Sequence, residues 1–163
     1  MVGPTSDQDL ILLVEDDEDQ VLSIRRSFWK ARVLNPLHVV RSGEEAIEYL
    51  GGTGRYSNRP EYPLPAVVLL DLKLVCMDGF EMLRWIRQRT GLEGLRVVVL
   101  TLSNRLQDMN LAYQLGANSF LVKPMDLESL IQIMNAFRGY WLWMKEAPEA
   151  LRTSGTIEAH RTE

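Results

Sequence analysis

Short apolar runs recur along the chain, and four of them end abruptly in polar chemistry. Leu10-Ile11-Leu12-Leu13-Val14 gives way to Glu15-Asp16-Asp17, and Val67-Val68-Leu69-Leu70 to Asp71. Val97-Val98-Val99-Leu100 ends in Thr101, and Phe120-Leu121-Val122 in Lys123-Pro124. Unbroken runs of branched apolar residues predict strands buried on both faces, as in a parallel sheet flanked by helices. Leu37 to Val40 supplies a further short strand after the Asn35-Pro36 break.

Between the strands the apolar period changes to that of a helix. Val21, Ile24, Phe28 and Ala31 share one face; Ala46, Ile47 and Leu50 share another, opened by the capping box Ser42-Gly43-Glu44-Glu45. Met77-Asp78-Gly79 forms a turn, and a helix follows with Phe80, Leu83 and either Ile86 or Arg87 inward. Leu106, Met109, Leu111, Ala112 and Leu115 predict a fourth helix, stopped by Gly116. Asp126 caps a last one carrying Leu130, Ile133, Met134 and Phe137. Gly51 to Pro65, rich in glycine and proline, can be neither regular helix nor central strand. Strands alternating with helices imply βαβ units, right-handed crossovers and an α/β fold with helices on both faces of a parallel sheet. Residues 1–9 read as a flexible lead-in, 10–144 as the domain, and 145–163 as a disordered tail.

Composition narrows the class. The chain has 163 residues, 46% hydrophobic and 25% charged, which suits one globular domain. A net charge of −4 gives no general attraction to nucleic acid or anionic membranes, and no run is long enough to span a bilayer, so a cytoplasmic protein is expected. A single cysteine, Cys76, excludes an intrachain disulfide framework. His38 and His160 are far apart and have no soft ligands nearby, which argues against zinc.

In a parallel sheet the polar strand ends share one edge, where open α/β sheets place their chemistry. Glu15, Asp16 and Asp71 would repel one another there without a cation. Few ligands and room for water suit Mg²⁺. Lys123 adds a fixed positive charge and Thr101 a hydroxyl. Together these groups suit a phosphoryl group passing to a carboxylate. Taken singly, each is bland: an acidic turn, a strand-end hydroxyl, a surface lysine.

The pieces Leu13-Val14-Glu15-Asp16-Asp17, Leu69-Leu70-Asp71, Met77-Asp78-Gly79, Leu100-Thr101 and Val122-Lys123-Pro124, in this order and at these intervals, resemble the receiver domain of two-component response regulators. The resemblance spans Leu10 to Trp143. The Pro-rich loop and the Tyr140-Trp141-Leu142-Trp143 ending resemble a narrower group, the stand-alone regulators related to the cyanobacterial phytochrome response regulator. It implies a flavodoxin-like doubly wound sheet of order 2-1-3-4-5 with five helices. It implies Asp71 as phosphoacceptor, Mg²⁺ held by Asp16, Asp71, the backbone carbonyl of Lys73 and, through water, Glu15, and Lys123 paired with the phosphoryl oxygen. Thr101 and Phe120 become the switch pair, and the Lys123–Pro124 peptide is expected to be cis. The donor would be a sensor histidine kinase or phosphotransfer protein. The chain would carry out its own phosphorylation and dephosphorylation chemistry without being a turnover enzyme. Too few residues follow Lys145 for an output domain, so signalling by contact with a separate partner is expected.

Three positions depart from the usual pattern of that family. Val75 stands where proline is common, which gives its loop more freedom. Leu102 is bulky where a small residue is usual, and restricts access to the phosphoryl group. Lys73 sets an ammonium beside the acids, to compete with Mg²⁺ or screen the phosphoryl group from water. A haloacid-dehalogenase-type phosphatase would need a second Asp where Lys73 stands, and a P-loop nucleotidase needs a GxxxxGK[ST] motif that is missing. A flavodoxin-like cofactor protein would want a phosphate cradle after the first strand, where Glu15-Asp16-Asp17 stands instead. The remaining alternative is a pseudo-receiver that works only by binding partners. Finally, at helical spacing Phe137, Trp141 and Met144 can face the core while Tyr140 and Trp143 point elsewhere. Two coverings suggest themselves, the Gly51 to Pro65 loop or a two-fold homodimer burying the last helix.

Overall fold

The computed structural model describes residues 9–146, with side chains as far as Tyr140. The elements run β1 (Ile11–Val14), α1 (Glu18–Lys30), β2 (Leu37–Val40), α2 (Gly43–Gly51), β3 (Val67–Leu70), α3 (Gly79–Gln88), β4 (Arg96–Thr101), α4 (Leu106–Gln114), β5 (Ser119–Val122) and α5 (Leu127–Glu146). All strand pairs are parallel, in the order β2-β1-β3-β4-β5. This is the expected flavodoxin-like order. The expectations for residues 1–8 and 147–163 fall outside the described residues.

Strand residues alternate between two separate cores. Leu12, Val14, Val68, Leu70, Val97 and Val99 meet α2, α3 and α4 through Ala46, Tyr49, Leu83, Ile86 and Ala112. Ile11, Leu13, Val67, Leu69, Val98 and Leu100 meet α1 and α5 through Ile24, Phe28, Met134 and Phe137. β1 and β3 are therefore apolar at every position, and β4 from Val97 to Leu100, because both faces are covered.

Helix starts follow their sequence signals. Asp17 caps α1 by accepting from Asp19 and Gln20 N–H groups, and Asp78 caps α3 at Glu81 N–H. Asp126 likewise accepts from Ser129 N–H at 2.8 Å. Ser42 caps α2 at Glu45 N–H, but the Glu45 carboxylate returns to Arg41 N–H, one residue before the cap. The choice between Ile86 and Arg87 resolves by chemistry. Ile86 is fully buried, whereas the Arg87 guanidinium donates to the carbonyls of Gly116 and Leu95 and to Asn118 Oδ1. Leu106, placed inward by the helical period, is exposed at the first turn of α4. The Lys123–Pro124 peptide is trans, against expectation. The resemblance supplied that expectation, and nothing local overrides the ordinary trans preference of an X–Pro bond.

The Gly51 to Pro65 loop is tied down rather than open. Arg59 donates to the carbonyls of Tyr49, Leu50 and Tyr62, and Tyr49 Oη to Pro63 O at 2.8 Å. Tyr49, Tyr56, Tyr62 and His38 pack their rings together, with centroid distances of 4.9–6.2 Å. His38 is the register partner of Leu12, so this cluster lies on the α2, α3, α4 face. The α5 helix packs on the other face. The loop therefore does not cover the described part of α5. The side chains of Trp141, Leu142, Trp143 and Met144 lie outside the described residues.

Gly79 closes the β3–α3 connection where no side chain fits. A Cβ there would stand 2.5 Å from Asp71 O and 2.6 Å from Leu72 Cα, both backbone atoms. Gly94, by contrast, has open space around it. Gly79→Ala is expected to cost about 1–3 kcal/mol in urea unfolding, the usual penalty of overpacking. Gly94→Ala should stay within about 0.5 kcal/mol of wild type in the same measurement.

Candidate functional site at the carboxyl edge of the sheet

Register builds the site. Val14 and Leu70 are partners on adjacent strands, so Glu15 and Asp71 emerge side by side. The Asp71 N–H still donates to Val14 O at 3.2 Å, which fixes the end of β3 against β1. β4 and β5 stay paired through Thr101 and Val122, and Lys123 N–H donates to Thr101 O at 2.6 Å. The sheet thus delivers two acids, a hydroxyl and an ammonium from four strand ends.

These groups are largely withdrawn from solvent. Glu15 is 1% exposed, Asp71 7%, Lys123 5% and Thr101 0%, while Asp16 is half-buried. Glu15, Asp16 and Asp71 each place a carboxylate oxygen within 4.8 Å of the other two. Lys123 Nζ bridges two of them, donating to Glu15 Oε1 and, at 3.3 Å, to Asp71 Oδ2. Backbone groups hold the remaining oxygens: Lys73 N–H donates to Asp71 Oδ1 at 3.2 Å and Asp17 N–H to Glu15 Oε2 at 3.2 Å. Val75 N–H donates to Asp16 Oδ2 at 3.0 Å. Burial pushes the Glu15 carboxyl up to about 7; the hydrogen bond and charge of Lys123 oppose the rise, and the Asp71 charge adds to it.

The donor set fits a small, hard divalent cation. Three carboxylate oxygens converge, the surplus negative charge is buried, and one partly accessible acid leaves room for water. The Asp17 side chain faces outward and caps α1.

The other expected residues lie around this centre. Thr101 Oγ1 accepts from Ser103 N–H at 3.3 Å, and the Ser103 hydroxyl donates to Asp108 in the first turn of α4. Phe120 is the register partner of Val99, two positions before Thr101 on the same sheet face, and it is buried in the α2, α3, α4 core. It does not join the carboxylates. The Lys73 side chain is exposed, and Leu102, 47% exposed, borders a cleft of about 130 Å³ beside Lys123 and Pro124. Two contacts escaped the sequence. Ser103 was signalled only by a hydroxyl two residues beyond Thr101. The Val75 N–H had no signal at all, since any residue but proline carries one. That amide ties Asp16 to the loop in which the proline is missing.

Residues 11–135 match the family model described as the response regulator receiver domain. The chain is 36% identical over 142 residues to the probable methanogenesis regulatory protein FilR2 of Methanothrix harundinacea (strain 6Ac), covering 85% of this chain and 87% of that protein. It is 33% identical over 141 residues to response regulator Rcp1 of Synechocystis sp. (strain ATCC 27184 / PCC 6803 / Kazusa), covering 86% and 94%. A structure of the Mn(2+)-bound form of Rcp1 superposes with a TM-score of 0.74 at 32% identity, over 86% of this chain and 96% of that one. The phosphorylated cyanobacterial phytochrome response regulator RcpA gives 0.76 at 33% identity, over 83% and 94%. The family match takes in every strand and all of the site residues, and the chain belongs to the response regulator receiver domain family.

Proposed function

We propose that Asp71 accepts a phosphoryl group from a phosphohistidine of a sensor histidine kinase or phosphotransfer protein. The supporting observation is the buried Asp71 carboxylate, held at one oxygen by Lys73 N–H and at the other by Lys123, within reach of two further acids. An Asp71 oxygen attacks phosphorus, the P–N bond breaks, and the departing imidazole keeps the bonding electron pair. The product is an aspartyl phosphate. Lys123 is already placed to follow the charge from Asp71 onto the phosphoryl oxygens. Glu15, Asp16, Asp71 and the Lys73 carbonyl would hold the cation, Mg²⁺ in this reading, which when bound neutralises the anionic phosphate among the acids. The chain does not turn over a substrate. It works as a cytoplasmic regulator whose changed contacts engage a downstream protein, and among the described residues no helix is long and apolar enough to cross a membrane.

Mass spectrometry after incubation with acetyl phosphate and Mg²⁺ tests the assignment. One phosphoryl group per chain is expected on Asp71, with labelling lost in Asp71→Asn and in excess EDTA. Stoichiometric labelling at another residue of Asp71→Asn would overturn it.

Glu15 gives a pH signature. Its folded pKa, about 7, lies above the free value of 4.5, so its contribution to stability is full below about 4.5 and is lost as pH rises through 7. His38 acts in the opposite sense, since burial lowers its pKa. The comparison therefore needs Glu15→Gln. Metal-free wild type should lose more thermal stability between pH 6 and pH 8 than Glu15→Gln does, and Mg²⁺ should bind wild type more tightly at pH 8. Identical slopes for the two proteins would sink the assignment.

The signalling surface follows from Thr101 and Phe120, which share a sheet face, and from the end of α5, where Tyr140 is 39% exposed. Phosphorylation biases a two-state packing through the Thr101 hydroxyl, and the aromatic end of α5 forms a homodimer. With beryllofluoride, amide shifts are expected along β4 and α4 in wild type and not in Thr101→Ala. Sedimentation should give a dimer at micromolar concentration, shifted toward monomer by Trp143→Glu. A wild-type monomer in both states, or unchanged shifts in Thr101→Ala, would count against the respective half.

A further inference from the structure

The β3–α3 connection reaches back to the acid cluster through its backbone. Lys73 N–H donates to Asp71 Oδ1, and two residues later Val75 N–H donates to Asp16 Oδ2 at 3.0 Å. Alternate amides of one loop therefore hold two different carboxylates. The Val75 side chain is 76% exposed, so little besides this amide fixes the residue in place. The rest of the loop is well anchored. Gly79 N–H donates to Leu72 O at 2.9 Å, and Met77 packs so closely on Gly43 that a Cβ there would lie 2.7 Å from Met77 Sδ. Asp16 is the least buried of the three acids, and so has the most orientational freedom to lose.

We propose that the Val75 N–H is a positioning group for the divalent cation, fixing Asp16 through Oδ2 so that the other oxygen is left to the metal. This rests on the reading of Asp16 as a metal ligand. A backbone donor orients a ligating carboxylate without the entropy loss of a side chain, and outer-sphere partners of this kind typically tune metal affinity about 10–100-fold. The effect is reciprocal: whatever Asp16 gains from the loop in binding metal, the loop gains in order when metal binds.

Proline removes the N–H and alanine keeps it, so the pair isolates the amide from the side chain. The probe is Mg²⁺ alone, titrated calorimetrically into the unphosphorylated 163-residue chain, with circular dichroism to establish folding. Val75→Pro should bind Mg²⁺ about tenfold more weakly than wild type, and Val75→Ala within about twofold. In wild type, the Val75 amide should exchange with solvent more slowly than that of Cys76, and slower still with Mg²⁺. This second measurement decides the matter if Val75→Pro does not fold. Absence of Mg²⁺ binding by wild type would remove the metal reading and the inference with it. Wild-type binding with Val75→Pro unchanged or tighter, equal weakening in Val75→Ala, or an unprotected Val75 amide would remove the inference alone.

Discussion

One constraint governs the carboxyl edge of this sheet: three acids converge there, and one ammonium lies between two of them. Lys123 bridges Glu15 and Asp71 at a site where all three residues are more than nine-tenths buried. Buried like charges are costly, and a single cation cannot neutralise them. The arrangement persists because the strands fix it. Glu15, Asp71 and Lys123 each follow directly on a paired strand residue, so relaxing the repulsion would mean unpairing the sheet. The charge imbalance is therefore held in reserve by the apolar cores on either side. Proton uptake by Glu15 and a divalent cation are two ways of answering the same excess of negative charge.

Much of this was legible in the sequence because the relevant signals are local. Runs such as Val67 to Leu70 announce a strand covered on both sides, and the residue that ends each run marks the sheet edge. Capping also reads directly, as at Ser42 and Asp126. What did not read was chemistry that depends on backbone groups or on distant partners. Arg87 occupies a helical core position but is satisfied by carbonyls from the α3–β4 and α4–β5 connections, which no periodicity reveals. The 51–65 segment read as a long loop because glycine and proline exclude regular structure. Its order comes from Arg59 reaching the carbonyls at the end of α2 and from four rings brought together across three segments. The trans Lys123–Pro124 peptide shows the opposite failing, since family resemblance supplied a conformation that local physics did not require.

The helices also differ in how firmly they are seated, and that difference has a consequence for the flow of free energy. α3 buries Met82, Leu83 and Ile86, whereas α4 commits only Ala112 fully to the core. Each large apolar side chain removed from water is worth roughly 1.5–3 kcal/mol, and an alanine far less. Its N-terminus has no capping side chain, and the contact nearest to one is Ser103 reaching Asp108. α4 is thus the cheapest helix to displace, and its first turn is hydrogen-bonded to Ser103, whose N–H donates to Thr101. Displacing α4 would expose far less apolar surface than displacing α3. Mechanical compliance is thus unevenly distributed around the sheet, set by which helix was given the fewest large side chains to bury.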